Sequence, residues 1–92
     1  MISQETLQNL TNSVAKGFEG AEEVYTKVVL DKENNLIVYV NLTVKPTVVI
    51  KELSMNIQNK VKQTIKQTTD LDVKEVNIKV RNIAPKPKDN NI

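Results

Sequence analysis

The chain has 92 residues and a net charge of +2. That length makes one domain with one core, and the charge is too small to imply nucleic acid by itself. It contains neither Cys nor His, which excludes disulfides, thiol nucleophiles, imidazole bases and zinc sites built on those ligands.

Charge is uneven along the chain. Residues 1–59 hold five Lys against seven acidic residues, and residues 60–92 hold eight Lys and Arg against four. This is a mild basic bias, short of a polybasic arm. The polar N-terminus lacks the apolar core of a signal peptide, and no apolar run approaches the ~20 residues that span a bilayer. Together with the absence of cysteine, this predicts a cytoplasmic protein that reaches a membrane only through a partner.

Met1 to Gly17 reads as a first helix. Ser3 is an N-cap, with Ile2 placed to staple onto Leu7. Leu7, Leu10, Val14 and Phe18 form its apolar stripe, Lys16 suits the last turn, and Gly17 suits the position just after it. Gly17-Phe18-Glu19-Gly20 matches the bare GxxG pattern with which K-homology domains clamp a nucleic-acid backbone. Here Glu19, Glu22 and Glu23 oppose phosphate, and a strand follows where that clamp joins two helices. The plainer reading is a glycine stop and a tight turn.

Val24 to Leu30 reads as a strand, with Val24, Thr26, Val28 and Leu30 on one face. The polar turn Asp31 to Asn35 makes a hairpin with Leu36 to Val44, whose positions 36, 38, 40, 42 and 44 are all aliphatic. Pro46 ends that strand. A second helix runs from about Ile50 to Thr69 on the stripe Ile50, Leu53, Ile57, Val61 and Ile65. Lys60, Lys62 and Lys66 read as its solvated face. Val73 to Arg81 is the last strand, with Val76, Ile78 and Val80 inward. From Ala84 the chain offers almost nothing to bury, so residues 1–83 read as the domain and 84–92 as a disordered tail.

The fold class is therefore α+β, in the order α-β-β-α-β. The expected architecture is a three-stranded mixed sheet with two helices packed on one face. The second strand is central, antiparallel to the first and parallel to the third.

No catalytic constellation is visible. Ser3, Ser13 and Ser54 have no histidine to activate them, no carboxylates pair on one buried face, and no phosphate-binding loop occurs. The expectation is a protein that is not an enzyme and takes no cofactor or metal. What stands out is the sheet face away from the helices, which should carry Tyr25, Lys27, Val29, Ile37, Tyr39, Asn41, Thr43, Asn77, Lys79 and Arg81. Tyr25, Val29, Ile37, Tyr39 and Asn41 with Lys79 and Arg81 make an apolar patch with a basic rim, a candidate surface for a protein partner or self-association.

Ile2-Ser3 opening a helix, Phe18-Glu19-Gly20-Ala21 closing it, Val48-Val49-Ile50 leading into the next and Asn56-Ile57-Gln58 within it make a pattern. The segment Thr69 to Ile83 completes it, with Leu71, Val73, Glu75, Val76, Asn77, Ile78, Val80 and Ile83 in place. The pattern resembles the alkaline shock protein family of Gram-positive bacteria, over residues 2–83. Two departures are the short strand-like segment that usually precedes the "IS" in that family, and Pro46-Thr47 where a glycine is common. The resemblance implies a non-enzymatic cytoplasmic scaffold tied to alkaline or cell-envelope stress, in some members held at the membrane by an anchoring partner. The alternative is a K-homology-like nucleic-acid-binding domain.

Overall fold

Five elements follow one another: α1 (Gln4–Lys16), β1 (Ala21–Leu30), β2 (Leu36–Val44), α2 (Ile50–Thr69) and β3 (Val73–Ile83). They come from a computed structural model that describes residues 3–83, the side chain of Asn82 excepted. The predicted tail at 84–92 and the predicted staple through Ile2 lie outside the described residues.

α1 starts where Ser3 Oγ accepts the Thr6 N–H at 3.1 Å. Its end differs from expectation. Gly17 stays right-handed at φ −72, and the left-handed glycine is Gly20 at φ 99. The buried face of α1 is Leu7, Thr11 and Ala15, while Leu10, Val14 and Phe18 pack beside it half-buried. The predicted stripe was rotated because α1 lies against both β1 and α2, and small side chains let it approach closely. The Thr11 hydroxyl donates to the Leu7 carbonyl at 2.9 Å, so it is buried without an orphaned group.

α2 buries Leu53, Ile57, Val61 and Ile65 as predicted; Ile50, at its first turn, is exposed. Val49 caps it with no side-chain hydrogen bond. Asp70 stops it at φ 63, donating its N–H to the Lys66 carbonyl at 2.9 Å. The Lys66 ammonium sits 3.3 Å from Asp72 and 3.4 Å from Asp70, and these carboxylates, Asp72 first, raise its pKa.

The sheet order is β1-β2-β3, with β2 antiparallel to β1 and parallel to β3. Leu36, Val38, Val40, Leu42 and Val44 are all buried beneath the helices, which contact each other and therefore share one side. Leu30 lies on that face opposite Leu36 as assigned, but it is 61% exposed.

The register slips at both ends of β3. Val73 pairs Leu36 and Glu75 pairs Ile37; Val80 pairs Leu42 and Asn82 pairs Thr43. Lys74 and Arg81 are thus extra residues in the ladder, and a bulge re-aims the side chain it carries. Lys74 reaches Asp31 in the hairpin loop at 3.4 Å. Arg81 is turned across the sheet.

Candidate partner surface

The open face is built in rows. Val29 stands opposite Ile37 and Ile37 opposite Glu75; Lys27 opposite Tyr39 and Tyr39 opposite Asn77; Tyr25 opposite Asn41 and Asn41 opposite Lys79. Six of the seven predicted surface residues therefore lie on one face by register, and Arg81, unpaired at the bulge, joins them through its contact with Tyr25. Tyr25 is 55% exposed and Tyr39 41%, whereas Val29, Ile37 and Asn41 are half-buried. Alternation alone placed these side chains, since in a strand it decides the face.

Two features were absent from the predicted surface. Glu75, which alternation turns outward with Asn77, Lys79 and Arg81, completes the Val29–Ile37 row, so the rim predicted as basic contains an acid. Arg81 lays its guanidinium 4.5 Å from the centre of the Tyr25 ring, across the full width of the sheet. On the way Nη2 donates to Thr43 Oγ1 at 3.4 Å, and Thr43, predicted on the open face, is buried. A cation over an aromatic ring holds both groups in place. The result is a tyrosine and a guanidinium locked together at one end, and an exposed tyrosine beside two aliphatic side chains at the other.

The GxxG loop has a packing role. It joins α1 to β1, and a Cβ on Gly20 would lie 2.3 Å from Val48 Cγ2. Its carbonyl accepts the Lys45 N–H at 2.9 Å, tying the loop to the end of β2. At the opposite end of the sheet, Leu7, Leu30, Leu36 and Leu71, with Gln4, Asn34 and Asp72, line a depression, which no sequence pattern marked because its walls come from four separate segments. Among the described residues, no three acidic, His or Cys side chains gather as metal ligands, and no helix is long and apolar enough to cross a membrane.

The profile of the alkaline shock protein 23 family, described by its cell envelope-related function, matches residues 2–85. The chain belongs to this family. No curated protein matches it. Among solved structures, a MamM variant is similar at a TM-score of 0.61 and 13% identity, over 89% of this chain and 99% of that one. A copper form of a MamM CTD variant is similar at 0.60 and 12%, over 87% and 98%. At such identity the likeness is one of fold alone. The alkaline shock domain thus has an α-β-β-α-β fold that recurs in another protein with few residues in common.

Proposed function

We propose that this alkaline shock domain is a non-enzymatic scaffold of the cytoplasmic side of the envelope, active in alkaline or envelope stress, that binds protein through its open sheet face. The reading rests on one observation: Tyr25 and Tyr39 stand exposed on a face that, among the described residues, no helix covers. Val29 and Ile37 extend the apolar area, Asn41 lies between the tyrosines in the pairing, and Lys79 and Arg81 supply the cationic rim. Tyrosine and arginine are among the side chains enriched at the energetic centres of interfaces.

Burying two such side chains is worth roughly 1.5–3 kcal/mol each, before the entropy of association is subtracted. A single contact of that size is weak, so the face works by repetition, through self-association or a partner tethered at the membrane, where avidity accumulates. The cationic rim favours an acidic partner and faster encounter at low salt.

The test is the pair Tyr39→Ser with Ile37→Ser. Both side chains point away from the core, so the melting transition should stay cooperative. Wild type at high concentration should sediment as larger species than the variant. Equal sedimentation would remove the self-association version, and an unfolded variant would mean that this face is buried inside the domain.

A further inference from the structure

We infer that the outer edge of β3 pairs with the same edge of a second copy of this chain, antiparallel about a twofold axis at Asn77, to make one six-stranded sheet. This goes beyond the open-face proposal and stands without it.

The two edges of the sheet are treated differently. At the β1 edge, Val28 donates its N–H to Gln8 Oε1 at 3.1 Å and accepts from Gln4 Nε2 at its carbonyl. Both side chains come from α1, so the outward N–H of Val28, which has one bond to give, is already used. At the β3 edge, Gln58 Nε2 of α2 reaches the Val76 carbonyl at 3.0 Å. That bond shows the carbonyl pointing away from β2, and a carbonyl has a second lone pair. Among the described residues, β3 pairs with no strand but β2. Ile78 and Val80 at this edge are packed on the core yet half-buried.

An edge strand is usually protected by charge, and β3 carries Lys74, Glu75, Lys79 and Arg81. Such charges repel a copy only if like meets like. In a twofold antiparallel pair with the helices of both copies on one side, residues facing each other must be both even or both odd. Centring on Asn77 sets Lys79 against Glu75 of the other copy, twice by symmetry. It also sets Ile78 against Val76 on the helix side, and Asn77 against itself. All five positions lie between the bulges at Lys74 and Arg81. Centring on Lys79 would oppose like charges. Centring on Ile78 would place Arg81 opposite Glu75, but Arg81 is the bulged residue and lies over its own Tyr25. The pairing also joins the two open faces into one surface.

The test is a charge exchange at two exposed positions, Glu75→Lys and Lys79→Glu, read by sedimentation velocity over a concentration series with circular dichroism melting as the fold control. Lys79→Gln is the milder variant if Lys79→Glu melts early. Wild type should dimerise. Each single variant turns two attractive contacts into two repulsive ones and should weaken dimerisation by about tenfold or more. An equimolar mixture of the two single variants should dimerise again, because every contact is then Glu against Lys. The Tyr39→Ser, Ile37→Ser variant should keep the edge dimer. Wild type monomeric throughout, single variants that dimerise like wild type, or a folded mixture that stays monomeric would each overturn the edge pairing. Dimerisation lost only with Tyr39 and Ile37 would assign it to the open face.

Discussion

Gly20, buried at the turn between α1 and β1, has little conformational freedom. Its φ of 99 lies in the region that L side chains avoid, and its missing Cβ is where Val48 Cγ2 sits. Gly20→Ala should cost about 2 kcal/mol or more, read as a lower melting temperature. Adding Val48→Ala should recover only the steric part, leaving the backbone strain. Asp31 is the other residue whose setting has a measurable signature. Its carboxylate accepts backbone N–H groups from Asn35 at 2.9 Å and Glu33 at 2.8 Å, and the Asn35 amide at 3.2 Å. With Asn35 N–H as the largest cause and Lys74 as a lesser one, these bonds hold its pKa at about 2. A depressed carboxylate pKa stabilises the fold above the unfolded value near 3.8 and loses that contribution as pH falls towards 2. Asp31→Asn should therefore flatten the dependence of melting temperature on pH between about 4 and 2. An unchanged slope in that interval would show that the loop bonds persist in the unfolded chain.

At the scale of elements, the second helix was legible and the first only partly so. Leu53, Ile57, Val61 and Ile65 are aliphatic at helical spacing and each is buried, so periodicity alone found the right face. In α1 the central residues are Thr11 and Ala15, which a hydrophobic pattern scores as neutral, and the stripe was drawn through their larger neighbours. The two helices therefore respond differently to substitution. Ile57→Ala should cost about 2–5 kcal/mol through the cavity it leaves, and Ile57→Asp should abolish the native melting transition through an unpaired buried charge. A native transition for the aspartate variant would place Ile57 off the core. Ala15→Leu should cost about 1–3 kcal/mol for the opposite reason, since α1 has no space for three more carbons against its neighbours. The faces of the strands are legible because alternation is strict along β2. The reach of Arg81 is not, because the bulge there breaks alternation and sends that side chain over Tyr25.

For the whole molecule, strand order, helix side and family were all legible, since one long aliphatic strand, one crossover helix and the Leu71 to Ile83 pattern admit few arrangements. The edge asymmetry was not, because it depends on which backbone groups the glutamines Gln4, Gln8 and Gln58 reach. The topology also has a mechanical consequence. α1 begins at the hairpin end, where Leu7 shares a wall with Leu36, and β3 leaves at the other end, with Ile83 opposite Val44. Tension applied between the first helix and the end of β3 runs along the strands, so the β2–β3 ladder is loaded in shear and its bonds share the load. Anchoring at positions 36 and 73, which neighbour each other at one end, would open the same ladder one bond at a time. Single-molecule pulling should give a clearly higher unfolding force in the first geometry than in the second, a difference set by the unfolding barrier along each direction. Equal forces would mean that the helices yield before the sheet does.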